Sequence, residues 1–525
     1  MIAIAKLIAP GAGQRKLAPD EQRSAAAALH RATKLSFYET SITLADRKLF
    51  AFARRDRERF LIIVARRPQE TPFGMLAPEH RTVDVDDREI DVAILTAGHE
   101  AARLLRRELP WTAPRLGGLR RSAGLGDRLG LATPGHVRAV EGTGCMPYFA
   151  QQSVREMSRT QRTPQQVMDA ATWGVFQAGW REGFGSDADH LKTPADIDAC
   201  VAAGFTMYTI DPGDHVRDDA DTMNALSLPG AVDELPWREL EISISAFRDL
   251  YVGEKFRLDD GQIVTFDERS LARAIIKYGG AIAHTAAMFR HLQAQMGTRP
   301  FELEVSVDET ASPTSVAEHY LIAAELTRLG VKWLSLAPRF VGEFEKGIDY
   351  KGDLAEFERS FAQHIAVART LGPYKLSIHS GSDKFAIYPI AARLAGELIH
   401  IKTAGTSYLE ALRVVARRKP DLFRRILDFA FTRFDADRAS YRISARTGAI
   451  PRSKDLPGDR LETVLDMNDG RQLLHVTYGS VLTATTDEGH SRFRDEILRV
   501  LTDHEEEHYG VLACHLGRHI KPFAR

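Results

Sequence analysis

Residues 374–408 read YKLSIHSGSDKFAIYPIAARLAGELIHIKTAGTSY, and the fold is decided by how this stretch is read. A short apolar run ends in His379, Ser380, Gly381, Ser382, Asp383 and Lys384. One short helical segment later, a second run ends in Lys402, Thr403, Ala404, Gly405 and Thr406. Each run places polar, reactive side chains where a predicted strand stops. In parallel α/β proteins, and above all in β/α barrels, that edge is where sites are built.

The same rhythm extends outward in both directions. Strands are expected to begin near 126, 184, 205, 301, 332, 375 and 398, and an eighth around 240–244 would close a barrel. Thr163-Pro164 and Thr193-Pro194 each open an apolar-periodic segment with an N-cap hydroxyl and a proline at the first helical position. Ser312-Pro313 is read as capping a helix over 314–329. Residues 213–270 are acidic and weakly periodic and read as an insertion. The expectation is a TIM-type (β/α)8 barrel over 121–420, preceded by an N-terminal extension or small α+β subdomain over 1–120. Within that subdomain LFAFA and RFLIIVA are the best strands. A C-terminal α+β addition is expected over 421–525, with a helix near 421–431, strands near 462–466 and 472–477, and a charged helix from 490 on.

Composition bounds the class. The 525 residues are 44% hydrophobic and 27% charged, ordinary for a globular protein. Seventy basic residues against 71 acidic ones give a net charge of −1, which provides no global attraction to nucleic acid or an anionic membrane. Cys145, Cys200 and Cys514 form neither a disulfide framework nor a CxxC pair. The opening MIAIAKLIAP carries Lys6 within its apolar run, and no later run is long enough to span a bilayer. A cytoplasmic protein is the expectation.

The strand ends collect Asp127, Arg128, Asp187, Asp189, His190, Lys192, Asp211, Glu302, Glu304, Asp308, Arg339, His379, Lys384 and Lys402. A purely structural barrel has no need of charge on nearly every strand, since buried carboxylates are costly unless paired or metal-bound. His190 and His379, on different strands and near carboxylates, suit a borderline divalent ion such as Zn, Mn or Co. The bland alternative is a pair of wall histidines satisfied by backbone carbonyls. Glu302 and Glu304 lie two apart and face one side of their strand. Ser380-Gly381-Ser382 and Ala404-Gly405-Thr406 allow close backbone approach and hydroxyl contacts. His504-Glu-Glu-Glu-His508 formally fits HExxH, and His515 and His519 could complete a metal site with it, but the charged surroundings favour a solvated helix.

Six motifs then carry a resemblance: GDRLGLATPGH (126–136), GFGSDADHLKT (183–193), FTMYTIDPGDH (205–215), APRFVGEFEKGIDY (337–350), KLSIHSGSDKF (375–385) and HIKTAGTSYLEALR (400–413). Together they resemble the tagaturonate epimerase family over roughly residues 120–420. The resemblance implies a metal-dependent TIM-barrel isomerase interconverting D-tagaturonate and D-fructuronate in hexuronate catabolism. These keto-uronates differ at the carbon β to the ketone, where α-proton exchange cannot act. Retro-aldol cleavage, rotation and re-addition can invert it, given a Lewis acid, an acid/base pair and cations for the carboxylate; other acid–base chemistry is the alternative. No GxGxxG follows a predicted strand, so no nicotinamide is expected.

Carried over motif by motif, the resemblance assigns His190, Glu343 and His379 to a divalent cation, with His400 in reserve. Asp189 is the expected proton acceptor and Glu304 the donor, with the roles of Glu304 and Glu343 exchangeable. Arg128, Lys192, Arg339, Ser380, Asp383, Lys384, Lys402, Thr403 and Thr406 are expected to bind substrate. The implied partner is a small-molecule keto-uronate, with neither nucleic acid nor membrane, and with room for a homo-oligomer. The competing readings are a metal-dependent aldolase or isomerase of another sugar acid, and a non-catalytic sugar-acid-binding protein.

Overall fold

The computed structural model describes residues 4, 7–8, 15–66, 72–85, 88–379 and 383–524. Ser380, expected to bind substrate, lies outside them. Eight parallel strands close a barrel in chain order: β1 (Ser122–Gly124), β2 (Met146–Ser153), β3 (Gly185–Leu191), β4 (Met207–Ile210), β5 (Glu302–Val307), β6 (Ser335–Pro338), β7 (Lys375–His379) and β8 (Ile399–Lys402). The register sets Thr209 beside Glu304, His379 beside Lys402, and Ser153 beside Asp189. The carboxyl ends of these strands therefore form one rim.

The eighth strand is β2, not residues 240–244, which run as a loop into the helix Ile244–Tyr251. Every residue of β2 is buried, including its polar end, Gln151-Gln152-Ser153. Helices follow the strands as the pattern implies. Thr163 and Thr193 each accept a hydrogen bond from the third helical residue, as N-caps do. The helix expected to be capped by Ser312 instead begins at Val316, with Ser315 as its cap. Between β4 and β5 the chain makes short helices and a small hairpin (Lys255–Arg257, Ile263–Thr265) before the long helix Glu268–Met296.

Residues 15–96 contribute a six-stranded antiparallel sheet. Its period-2 alternation splits one strand between two cores. Leu49, Ala51 and Ala53 pack toward the helix Pro19–Thr33, whereas Phe50 and Phe52 face the barrel's own helix Pro164–Ala178. There Phe52 stacks on Trp173 with ring centroids 5.1 Å apart.

The C-terminal addition is helical. Residues 462–466, expected as a strand, belong to a 3-10 helix (Gly458–Asp466), and 472–476 lie in the helix Asn468–Val476. Nor is the last helix, Glu505–Ile520, a solvated one: His508, Leu512, Leu516 and His519 are buried, and Leu512, Leu516 and Ile520 join the barrel's core. The chain thus returns to the barrel after building its own apolar cluster around the helix Thr406–Arg418. Among the described residues no helix is long and apolar enough to cross a membrane.

Candidate active site

β3 supplies the centre of the site through a local irregularity. Tyr208 pairs with Ala188 but Ile210 pairs with Leu191, so three steps on β3 match two on β4. The extra residue makes a β-bulge, and His190 takes φ +53°, a left-handed conformation that a non-glycine residue adopts only under constraint. A regular strand would send neighbouring side chains to opposite faces; here Asp189 and His190 come to one cavity. His379, at the end of β7, meets them, with its ring centroid 5.1 Å from that of His190. One ligand atom from each of Asp189, His190 and His379 can be chosen so that all lie within 4.8 Å of one another.

The surrounding shell is dense in charge. His190 Nδ1 lies 3.0 Å from Asp211 Oδ2, and His379 Nδ1 lies 3.6 Å from Asp308. Such carboxylate–imidazole pairs orient metal-binding histidines. His379 Nε2 is 2.5 Å from Glu304 Oε1. Lys402 Nζ reaches Asp189 Oδ1 at 2.7 Å, Glu304 Oε1 at 2.7 Å and Asp187 Oδ2 at 2.9 Å, and donates to Thr209 Oγ1 at 2.8 Å.

Burial alone would neutralise these groups, but their mutual fields dominate. Burial raises Asp189, yet Lys402 and the imidazoles hold it down at about 2. Glu304, also opposed by burial, is held well below the usual carboxylate range by Lys402 and His379. Asp187 is the exception: burial and the neighbouring carboxylates raise it to about 6 against the pull of Lys402. Burial disfavours a charged His190, but Asp189 and Asp211 raise it to about 10. Asp187, Asp189, Asp211, Glu304 and Asp308 thus outnumber Lys402, and the two imidazoles sit where positive charge is drawn. The donor set fits a divalent cation: two imidazoles and a carboxylate, in a net acidic shell.

The other expected residues divide sharply. Glu343 lines a cavity of about 250 Å³ that also touches His379, whereas the group whose ligand atoms lie within 4.8 Å of one another is Asp189, His190 and His379. His400 lies deeper on β8, fully buried, its Nδ1 2.8 Å from Ser122 Oγ, and burial keeps it neutral. Arg128 lines a smaller cavity with Asp189, His190, His379 and Lys402. Its guanidinium pairs with Glu156 at 2.5 Å and lies 3.6 Å from the Tyr478 ring centroid.

Several of the residues expected to bind substrate are engaged elsewhere. Lys192 pairs with Asp214 at the surface, 2.8 Å away. Lys384 is buried and donates to the carbonyls of Glu345, Ile348 and Asp383. Thr403 donates to the carbonyl of Gly124 and Thr406 to Asp383. Asp383 itself anchors the last helix, accepting from His515 and His519 at 2.9 and 3.1 Å and from Arg471 at 2.9 Å. Arg339 lines the larger cavity and donates to the Thr310 carbonyl.

Sequence reasoning gave no part to Asp187 in particular, although it shares the parity of Asp189. It missed Gln151, whose Nε2 donates to Asp189 Oδ2 at 2.9 Å. It also missed Lys346 and Tyr441, which line both cavities, and Arg442, which lines the larger. Gln151 was hidden with the unrecognised β2; Tyr441 and Arg442 come from the C-terminal addition, and no local pattern marks them.

Comparison with known proteins agrees across nearly the whole chain. A sequence profile described as tagaturonate epimerase matches residues 38–523. The tagaturonate/fructuronate epimerase of Thermotoga maritima is 42% identical over 485 residues, covering 92% of this chain and 96% of that protein. Crystal structures of fructuronate-tagaturonate epimerase from Cohnella laeviribosi, one native and one with glycerol, match with a TM-score of 0.86 at 36% identity. Each covers 95% of this chain and 99% of the other.

Proposed function

The chain belongs to the tagaturonate epimerase family, and from that premise we propose that it is a divalent-metal-dependent isomerase interconverting D-tagaturonate and D-fructuronate by retro-aldol cleavage and re-addition. The observation that carries the reading is the meeting of Asp189, His190 and His379 at the barrel rim, inside a shell of excess carboxylate.

His190, His379 and one oxygen of Asp189 would hold the ion, which supplies Lewis-acid polarisation of the substrate's keto oxygen. The other Asp189 oxygen takes the proton of the hydroxyl on the β-carbon, C4, as the C3–C4 bond breaks. Lys402 and Gln151 hold Asp189 in place, and Lys402 and the imidazoles keep it ionised and so open to a proton. The C4–C6 fragment then turns about its C4–C5 bond, and C3 adds to the other face of C4. The new hydroxyl takes its proton from Glu343, which lines the larger cavity; Glu304 lies behind His379, where Lys402 keeps it ionised. We place the enzyme in the cytoplasm, in keeping with its three free cysteines.

The test is metal analysis of the purified protein, followed by incubation with D-tagaturonate with and without chelator. Formation of D-fructuronate that stops on chelation and returns with added Zn, Mn or Co is the expected result. No conversion by the metal-replete protein overturns the epimerase reading, and full activity after complete metal removal overturns the metal assignment. In the same experiment His379→Ala is expected to lose the bound metal while keeping its helical circular dichroism.

A further inference from the structure

The substrate proposed above carries a carboxylate at C6, two carbons from the centre that inverts, and the cations expected to receive it are mostly engaged. Arg128 is paired with Glu156, Lys192 with Asp214, Lys384 with three carbonyls and Lys402 with three carboxylates. Arg339 alone of that set faces the larger cavity, and Lys346 and Arg442 join it there.

Charge accounting in this cavity is uneven. Of its four acids, Glu309 is paired with Arg155 at 3.0 Å, Glu345 with Lys351 at 3.0 Å, and Asp308 lies 3.6 Å from His379, which leaves Glu343, whose charge acts on Arg339, against three cations. Among the described residues neither Lys346 nor Arg442 is in an ion pair. Arg339 and Arg442 are close enough that, after burial, Arg442 is the next cause lowering the Arg339 guanidinium's affinity for its proton. Like charges held together around an open volume are stabilised by an anion between them. The volume is about 250 Å³, and His379 and Tyr441 line both it and the smaller cavity, so the anion's place is continuous with the metal triad.

We propose that Arg339, Lys346 and Arg442 form the carboxylate subsite of the keto-uronate, with Arg442 the contribution of the C-terminal addition to substrate recognition. This rests on the epimerase reading. It also gives the subsite a part in the reaction. Cleavage of C3–C4 divides the substrate into a C1–C3 fragment, released as dihydroxyacetone once C3 takes a proton, and a C4–C6 aldehyde acid. The carboxylate stays with the fragment that must rotate. A cation cluster on that carboxylate holds the fragment while its aldehyde turns, so that re-addition outruns escape.

The experiment compares wild type with Arg442→Gln on D-tagaturonate and on the corresponding neutral ketohexose, in which CH2OH replaces the carboxylate. Arg442 is exposed, so the variant should fold. The expected result is a 10- to 100-fold rise in KM for the uronate, as for loss of a charge-assisted hydrogen bond, with the ketohexose changed less than about twofold. Dihydroxyacetone released per uronate turnover should rise, and Arg442→Lys should restore part of the KM. Equal changes for both substrates, or an unchanged KM and unchanged dihydroxyacetone release, would overturn the proposal. Should wild type fail to epimerise, calorimetric binding of D-tagaturonate separates the two readings. Binding that weakens in Arg442→Gln keeps the subsite and discards the epimerase; equal binding discards both.

Discussion

Replacing Lys402 with methionine removes a charge while keeping most of the side chain's volume, and the structure sets the consequence. Lys402 Nζ lies 2.7 Å from Asp189, 2.7 Å from Glu304 and 2.9 Å from Asp187, with all four groups buried. At an effective dielectric of about 20, one such pair is worth about 6 kcal/mol of attraction before desolvation. The cost of burying the ammonium cancels much of the sum, and deleting one partner of a buried ionic group typically costs about 3–5 kcal/mol. Three carboxylates left facing one another will take up protons, so their folded pKa values rise above the unfolded ones. A carboxyl raised in this way destabilises the fold at high pH, and the penalty is relieved as pH falls through the folded pKa. Lys402→Met should therefore lose about 3–5 kcal/mol at pH 8 and distinctly less at pH 5.5. Urea denaturation of metal-free protein followed by tryptophan fluorescence reads both. A loss under about 1 kcal/mol at pH 8, or the same loss at both pH values, would refute the reasoning.

Two further outcomes follow from packing and titration. A Cβ at Gly126 would fall 2.5 Å from Ala404 Cβ and 2.6 Å from its Cα, on the backbone that follows Lys402 and Thr403. Gly126→Ala should cost about 1–3 kcal/mol and lower turnover at least tenfold by displacing Lys402; wild-type stability and turnover would contradict this. His319 and His364 are buried with their Nδ1 atoms 2.9 Å apart, and burial lowers His364 from 6.5 to about 4. The unfolded chain therefore takes up a proton at His364 that the fold excludes, and stability is lost as pH falls from about 6.5 to about 4. His364→Gln should flatten the stability slope over that range by about 1.4 kcal/mol per pH unit, measured by urea denaturation; an unchanged slope excludes it.

Much of the barrel was legible because its signals are local. A short apolar run ending in polar residues, then a helical period, needs only neighbouring residues to be recognised; β3, β4, β5, β7 and β8 all carry the run, and β3 adds the Thr-Pro cap. Asp189, His190, Glu304, His379 and Lys402 could be named for the same reason: each sits at or near a strand end. β2 escaped because Met146–Ser153 ends in Gln151, Gln152 and Ser153, which read as a loop until the barrel around them supplies partners. The helices over 458–476 were read as strands because short apolar runs have no period of their own long enough to tell strand from helix.

The sequence by itself determined the class of the fold, the rim on which polar groups gather, and the residue types available there. It did not decide what each charge faces. Lys402 and Lys384 look alike in sequence: both are lysines at or just beyond the end of a predicted strand. Yet one joins three carboxylates at the centre of the site and the other ends on three backbone carbonyls. Only the tertiary structure made the bulge that turns His190 beside Asp189, buried His519 against Asp383, and brought Arg442 to Arg339 from roughly a hundred residues away. The reason is physical. Strand and helix periods are set by backbone geometry between neighbours, whereas the electrostatic role of a buried group depends on which distant chain segments exclude water around it and which charges they leave within reach.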